Sequence, residues 1–432
     1  MTKAAVLTAP AQLWRAASGS ELRRNVLETY GVRLVVVAIT FATTIVVARV
    51  LGPEGRGFYA VATALGAIGV QFGNMGLHAS NTYFVSKDRK LLPALLGNTL
   101  AVVGVSALLT VVWGILVSLL PRLSPIHGTL FVLALISVPA GLAYLLGQGL
   151  LLGVNDVRAY NHIECTTKFL ALALTLAAAL VHSTNVELFF AFTLIALMAG
   201  FLWALRRLRR TSTEPPAVST QVFRQSLHVG VKAYVIAFFG FLLVRIDLLM
   251  VNSMLGPTEA GYYSISRVLS ENTMMFPVVL GLILFPKLTA LTDQEEKFQL
   301  TKKAAAVTAA LMLPVVVIAV LVAAPVISLA FGPTYLPAVS PFVWLMPGIY
   351  FLGIETVLVQ LLNSEGFPPI IVYAWIVAVL LNIALNFWAI PHYGMAGASV
   401  SSSLCYFLMF AIISAVVWQH RPARQTEPAL VA

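Results

Sequence analysis

Charged residues are scarce in this sequence: only 10% of its 432 residues are Asp, Glu, Lys or Arg, whereas soluble domains carry about 25%. The hydrophobic fraction is 59% and the mean hydropathy is +0.90. A water-soluble fold of this composition would expose a large apolar surface. The shortage of charge therefore excludes an ordinary soluble protein and predicts an all-α integral membrane protein, because a spanning helix needs about 20 apolar residues.

Cysteine is nearly absent, and the motifs of common enzymes are missing. The two cysteines, Cys165 and Cys405, both lie in apolar runs, which excludes a disulfide framework or a cysteine metal site. The seven histidines are scattered. We find no nucleophile elbow, no paired loop carboxylates and no phosphate-cradling Gly-Lys motif. The sequence therefore predicts no catalytic residue, no metal and no cofactor.

Long polar loops are also missing, and twelve apolar runs are long enough to cross a bilayer. A basic and then Ser/Thr/Pro-rich stretch, "RRLRRTSTEPPAVSTQVFRQS", lies mid-chain and predicts a linker. The predicted spans are 26–50, 57–86, 92–120, 128–152, 163–182, 186–206, 226–254, 261–286, 304–331, 341–362, 368–390 and 394–420. The predicted domains are an N-terminal tail over 1–25, six-helix lobes over 26–206 and 226–420, a linker over 207–225 and a C-terminal tail over 421–432.

Basic residues are distributed unequally between the two ends of the predicted spans. With the N-terminus in the cytoplasm, the opposite side holds only Arg49, Arg56 and Arg122. This bias predicts an inner-membrane, multi-pass protein with both termini in the cytoplasm. It also accounts for the net charge of +10 without a nucleic-acid partner. The predicted cytoplasmic cations are Lys3, Arg15, Arg23, Arg24, Lys87, Arg89, Lys90, Arg158, Arg206, Arg207, Arg209, Arg210, Arg224, Lys287, Lys297, Lys302, Lys303, Arg421 and Arg424.

One glycine-rich phrase occurs twice. "LGPEGRGFYAV" spans 51–61 and "LGPTEAGYYSI" spans 255–265. Each copy follows the first predicted span of a lobe and opens the second. Both copies would therefore lie on the outer side, which indicates a duplication with two parallel lobes related by a pseudo-two-fold axis along the membrane normal.

Five basic residues remain inside the predicted spans: Arg33, Lys168, Lys232, Arg245 and Arg267. A charged side chain that faces lipid at a helix centre costs about 2.5–3.5 kcal/mol. These side chains must therefore reach the membrane interface, pair with acids or face a water-filled cavity. All five are candidate substrate-binding residues.

The position of each cation limits what it can do. Arg33 and Lys232 lie about two turns from predicted cytoplasmic helix ends, so their long side chains can reach the interface. Lys168 follows Glu164 by four residues, which is the spacing of a local helical ion pair. For these residues a structural and a functional role both remain open.

Arg245 lies deeper, roughly 13 Å from the end of its predicted span at 1.5 Å per residue. Asp247 follows two residues later and points to another side of the helix, whereas Arg267 and Glu271 are four residues apart and share a face. These four residues either line a central cavity or form a structural inter-helix network. A cationic cavity would suit an anionic headgroup, because arginine binds phosphate through paired hydrogen bonds.

Glu355 lies deep in the tenth predicted span, in "GIETVLVQ", with no cation nearby in the sequence. A carboxyl group in such a position is a candidate for coupling to a proton or another cation.

The sequence resembles polysaccharide biosynthesis flippases, the O-antigen and exopolysaccharide translocases of the multidrug/oligosaccharidyl-lipid/polysaccharide exporter superfamily. The resemblance covers roughly residues 26–418 and rests on the order and spacing of several short segments. These segments are "ARVLGPEGRGFYAV", "GNMGLHASNTYFVSKD", "RIDLLMVNSMLGPTEAGYYSISRV", "LFPKLT" and "PHYGMAGASVSSS".

The resemblance implies two six-helix lobes around a central cavity. It also implies alternating-access transport of an undecaprenyl-diphosphate-linked oligosaccharide from the inner to the outer leaflet, coupled to an ion gradient. The implied partners are this lipid-linked oligosaccharide, membrane lipids, a polysaccharide polymerase and export machinery. The family's recurring cavity arginines match Arg245, Arg267 and Arg33.

Three other functions remain open. A lipid II flippase of the same superfamily commonly has fourteen helices, whereas twelve are predicted here. A drug/cation antiporter would favour an acidic cavity. A membrane-embedded polysaccharide polymerase or acyltransferase would need a sizeable outward loop, and none of the predicted outward loops is long enough.

Overall fold

The structure is a computed structural model that describes residues 20–119, 126–212, 214–366 and 368–419. The side chains of residues 20–30, 118, 232 and 233 are outside this description, and so is most of the two predicted tails. The regular structure of the described residues is helical, as predicted. The α-helices are α1 (Ser20–Asn74), α2 (Leu77–Lys87), α3 (Leu92–Leu119), α4 (Gly128–Gly153), α5 (Val157–Leu180), α6 (Val186–Thr211), α7 (Thr220–Leu255), α8 (Pro257–Thr273), α9 (Met275–Ala290), α10 (Gln294–Leu321), α11 (Ala323–Phe331), α12 (Val339–Ser364) and α13 (Pro369–Gln419).

The number of membrane crossings follows from helix length. Nine helices of the described part are long and apolar enough to cross a membrane, or ten if the bent pair α8–α9 is one span. However, α1 has 55 residues and α13 has 51, which is roughly 80 Å of helix at 1.5 Å per residue. A bilayer core is only about 30 Å thick. Each of these helices contains a backbone break, at Gly52 and Gly394, so each supplies two spans. With the bent pair α8–α9 counted as one span, the described part of the chain has the predicted twelve.

Three predicted spans are interrupted in the structure. The span over 57–86 breaks where Met75 and Gly76 adopt positive φ, between α1 and α2. The span over 261–286 bends by 41° at Met274, between α8 and α9. The span over 304–331 is divided at Val322, between α10 and α11. Apolar run length did not reveal these breaks. Val322 lies among apolar residues, and the polar Asn74, Asn272 and Thr273 beside the other two breaks were included in the predicted spans.

A left-handed backbone occurs at every predicted outward turn. The positive-φ residues are Gly52, Gly128, His182, Gly256, Gly332 and Gly394. In the repeated phrase, Gly52 has φ 67° and ψ −179°, and Gly256 has φ 98° and ψ 174°. Glycine adopts this conformation without the Cβ penalty of other residues. The two copies of the phrase therefore share their turn geometry as well as their letters, which supports the duplication.

The chain forms two compact units. The first comprises residues 1–50 and 65–231, and the second comprises residues 51–64 and 232–432. Since α1 and α7 contribute to both units, these limits differ from the six-span lobes predicted over 26–206 and 226–420, which stay a prediction.

Each unit packs around one helix. In the first unit α4 packs against α2, α3 and α6. In the second unit α12 packs against α8, α9, α10 and α13. The buried residues of the second core include Leu345, Met346 and Val357 from α12.

The predicted linker is attached to the first unit. Asn98 of α3 donates through Nδ2 to the Ser219 carbonyl at 3.0 Å and accepts from the Ser219 N–H at 2.9 Å. The Ala217 N–H donates to the Pro93 carbonyl at 3.1 Å. These contacts place residues 217–219 along the beginning of α3.

Candidate substrate-binding site

The four charged residues of α7 and α8 form one cluster in the second unit. Asp247 is fully buried and Arg267 is 3% exposed, and Arg267 Nη1 lies 3.4 Å from Asp247 Oδ2. Arg245 and Glu271 are about one-third exposed, and Arg245 Nη2 donates to Glu271 Oε2 at 3.1 Å. The inner pair is sealed from water, whereas the outer pair can be reached.

Neutral donors and acceptors complete the inner pair. Tyr263 and Ser402 donate to Asp247 Oδ2 at 2.6 and 2.9 Å. Arg267 donates to the Tyr406 hydroxyl at 3.1 Å and to the Val244 carbonyl. A buried ion pair needs such additional hydrogen bonds to offset its desolvation. Asp247 and Arg267 therefore connect α7, α8 and α13 through a buried ion pair and its hydrogen bonds.

The charges of this cluster balance. It contains two arginines and two carboxylates, and Arg267 Nη2 lies 4.0 Å from Glu271 Oε1. Glu271 therefore lies between both arginines. An anionic ligand would have to displace Glu271 from Arg245, because Arg267 is enclosed.

The first unit contains a second charged cluster, on α1 and α5. Glu164 interacts with Tyr160, and Arg33 lies close enough to Tyr160 to interact with it electrostatically. Lys168 is half-buried and interacts electrostatically with Glu164 one helical turn away. Arg33 is exposed. These residues comprise two cations and one carboxylate, so the cluster has a net positive charge.

The two further predicted site residues are Lys232 and Glu355. Lys232 lies in α7, but its side chain is outside the described part of the chain. Glu355 of α12 is 2% exposed, and its Oε1 has no hydrogen-bond partner among the described residues. The described residues contain no group of three or more potential His, Cys, Asp or Glu metal ligands.

Among the described side chains, the sequence analysis missed two buried cations. It placed Arg56 on the outer side of the membrane and Lys297, which is 8% exposed, in a cytoplasmic segment. Arg56 is 6% exposed. Its Nε donates to Ser264 Oγ at 3.1 Å, and its guanidinium lies 5.6 Å from the centre of the Tyr59 ring. Arg56 and Tyr59 belong to the first copy of the repeated phrase and Ser264 belongs to the second, so the repetition itself was the available signal.

The two copies of the phrase also meet at their glycines, within the second unit. A Cβ on Gly57 would lie 1.7 Å from the Pro257 carbonyl oxygen, and a Cβ on Gly261 would lie 1.9 Å from the Pro53 carbonyl oxygen. The contact is reciprocal, and glycine is required on both sides because the backbones touch.

Solved transporters share this architecture. An inward-facing multidrug resistance MATE family transporter of the MOP superfamily aligns with a TM-score of 0.71 at 12% identity, over 89% of this chain and 95% of that one. Lipid II flippase MurJ, in an inward closed conformation, aligns with a TM-score of 0.71 at 13% identity, over 91% of this chain and 87% of that one. These likenesses define an all-helical membrane protein with the fold of MOP-superfamily transporters.

The sequence comparison supplies the family. Residues 46–340 match the family described as "Polysaccharide biosynthesis protein", and the chain belongs to this family. A putative O-antigen transporter of Shigella flexneri is 22% identical over 163 residues, which is 38% of this chain. The match spans 39% of that relative's length. The predicted family and fold class are confirmed.

Proposed function

We propose that the protein moves a polyprenyl-diphosphate-linked oligosaccharide from the inner to the outer leaflet of the cytoplasmic membrane, for export of a surface polysaccharide. The family match over residues 46–340 carries this proposal, because it includes both copies of the repeated phrase and the whole charged cluster of α7 and α8. The names of two similar proteins support it: one is a putative O-antigen transporter and the other a lipid II flippase.

The substrate's chemistry fits the distribution of charge in the two units. A diphosphate group carries negative charge and several acceptor oxygens, which arginine can bind through paired hydrogen bonds. In the first unit, Glu164 is the one carboxylate that the described side chains place with Arg33 and Lys168. In the α7–α8 cluster of the second unit, Arg245 is the accessible cation. Within the second unit we assign Arg245 to the headgroup, and Asp247 and Arg267 to positioning α7 and α8. Within the first unit, Arg33 and Lys168 are a separate candidate cluster for binding an anion.

Glu271 would exchange partners during transport. In the structure it neutralises Arg245. A bound diphosphate would compete with Glu271 for the Arg245 guanidinium. When no substrate is bound, the ion pair with Glu271 would lower the free-energy cost of holding the Arg245 charge in the membrane.

Glu355 is the proposed coupling residue. An ionised carboxylate without a partner is costly to bury. Glu355 would therefore take up a proton when it is buried, as in this structure, and release the proton when a conformational change exposes it to water. We place the protein in the inner membrane with both termini cytoplasmic, where a polymerase and export machinery would receive its product.

The proposal is tested in cells whose surface polysaccharide depends on this protein. We expect Arg245→Ala to abolish surface polysaccharide while the amount of protein in the membrane stays normal, since a hydrogen bond to a charged group contributes about 1.5–3 kcal/mol. Arg210→Ala is the matched control, because Arg210 is exposed near the end of α6 and belongs to neither cluster. Normal polysaccharide with Arg245→Ala would contradict the assignment of Arg245.

Purified protein in liposomes tests the transport step directly. We expect movement of the lipid-linked oligosaccharide to accelerate under an imposed proton gradient, and Glu355→Gln to remove that acceleration. Glu214→Gln changes an exposed linker carboxylate and is the control. If the wild-type protein moves lipid II but no lipid-linked oligosaccharide, the proposed substrate is wrong.

A further inference from the structure

The first unit contains an apolar groove that neither charged cluster uses. It has a volume of about 810 Å³ and lies between the second half of α1, α3, α4 and the start of α7. Small residues such as Ala101 and Ser106 line it beside the bulky Phe72 and Trp113. Both bulky side chains are more than half exposed, so the groove is open along one side.

A second cavity continues the groove. It has a volume of about 700 Å³, lies between α3 and α4, and shares Thr110, Phe131 and Leu135 with the first. Together the two cavities follow α3 from Asn98 to Val117, roughly 28 Å at 1.5 Å per residue. This length is close to the thickness of a whole bilayer core, about 30 Å. An acyl chain of a phospholipid occupies only one leaflet, about half of that.

The groove has one polar and basic end. Asn98 and Thr220 line it there, and Asn98 fixes the linker through its two hydrogen bonds to Ser219. Arg224 follows Thr220 by one helical turn, on the same face of α7, and is exposed. A lipid whose phosphate contacts Arg224 would extend its chain into the groove.

We propose that this groove binds the polyprenyl chain of the lipid carrier, with the phosphate at the Arg224 end. The proposal rests on the proposed function and names a subsite for the tail of the same substrate. Length and charge complementarity carry it: the groove is apolar, longer than one leaflet, and basic where an anionic headgroup would lie. Because Val218 and Thr220 form part of the groove wall, a bound chain also contacts the linker between the two halves of the sequence.

The test uses the full-length protein in nanodiscs of phosphatidylcholine and phosphatidylglycerol, with a photoreactive undecaprenyl phosphate as the probe. Ala101→Trp places a bulky ring in the first cavity and Ala107→Trp places one in the second, so that each obstructs the path of a bound chain. We expect each to lower cross-linking ~tenfold, equivalent to about 1.4 kcal/mol of binding. Leu108→Trp is the matched control, because Leu108 neighbours Ala107, is exposed and lines neither cavity. Mapping the wild-type cross-links to peptides of α3 and α4 answers the question even if a tryptophan variant fails to fold.

Each outcome decides the proposal. If Ala101→Trp lowers cross-linking and Ala107→Trp does not, the bound chain is confined to one leaflet and the polyprenyl assignment is overturned. The assignment is also overturned if phosphatidylglycerol competes with the probe as well as unlabelled undecaprenyl phosphate does. Cross-links outside α1, α3, α4 and α7 would overturn the groove itself. A separate flipping assay keeps the two proposals apart. If the protein binds the probe in the groove but moves no lipid-linked oligosaccharide, only the proposed function is refuted. If the variant with both Ala101→Trp and Ala107→Trp flips the substrate at an undiminished rate, only the groove proposal is refuted.

Discussion

Asp247 and Arg267 show how one ion pair can be fully enclosed in a membrane protein. Each member has hydrogen-bond partners besides the other: Tyr263 and Ser402 for the carboxylate, Tyr406 for the guanidinium. Removing one member of a buried pair leaves the other uncompensated, which costs about 3–5 kcal/mol, whereas removing both costs much less. The pair is therefore expected to affect stability first and transport second.

We expect Asp247→Ala to lower the free energy of unfolding by about 3–5 kcal/mol, and Asp247→Ala combined with Arg267→Met to recover part of that loss. The measurement is thermal denaturation of the purified protein in detergent. Arg207→Ala is the control, because it breaks the exposed Arg207–Asp156 pair, and surface pairs contribute about 0–1 kcal/mol. A double variant less stable than Asp247→Ala would show that Arg267 does not depend on Asp247.

At the scale of helices, the repeated phrase joins turn, capping and packing in one motif. Leu-Gly-Pro ends one helix, turns the chain through a positive-φ glycine and starts the next helix with proline, a residue favoured in the first helical turn. Five residues after the turn glycine, Gly57 and Gly261 bring the two copies into backbone contact. The motif is therefore a turn and an interface at once.

We expect Gly57→Ala and Gly261→Ala each to destabilise the protein by about 1–3 kcal/mol, because the added methyl forces closely packed backbones apart. The double variant should cost less than the sum of both, since one separation relieves both clashes. Thermal denaturation measures this. Gly104→Ala is the control, because a Cβ at Gly104 meets no atom within 4 Å. Strict additivity would contradict a shared contact.

The helices were predictable and their breaks were not, for a physical reason. Apolar run length determines where a chain can cross a bilayer, so the twelve spans and the turns at Gly52 and Gly256 could be read from the sequence. The breaks at Gly76 and Met274 depend on tertiary contacts. A Cβ at Gly76, for example, would lie 2.4 Å from the Gly230 carbonyl oxygen, and that neighbour is 154 positions away.

The sequence predicted which charged residues form the α7–α8 cluster, but not which side chains bind them. The residues stand out because ionisable groups are rare inside spans, and the i, i+4 spacing of Arg267 and Glu271 places them on one face. Their partners were hidden, because Tyr406 and Ser402 come from the far end of the sequence. Arg56 was missed because a position near a turn does not reveal burial.

For the whole molecule, the distribution of basic residues is the strongest constraint on orientation. Positively charged loops are retained in the cytoplasm during insertion, and exposed cations lie near the ends of α2 and α6, at Lys87, Lys90, Arg209 and Arg210. The predicted outer turns contain few cations. The proposed direction of transport and the proposed headgroup end of the groove both depend on this orientation.

Cysteine labelling tests the orientation directly. With Cys165 and Cys405 replaced by alanine, we expect Thr184→Cys and Thr334→Cys to react with a membrane-impermeant maleimide in intact cells, because both positions are exposed at predicted outer turns. Lys90→Cys and Glu296→Cys are exposed at predicted inner segments and should react only after the membrane is opened. These inner positions are the controls for leakage. Labelling of Lys90→Cys in intact cells would reverse the orientation, and the Arg224 end of the groove would then face the wrong leaflet to receive a lipid-linked sugar made in the cytoplasm.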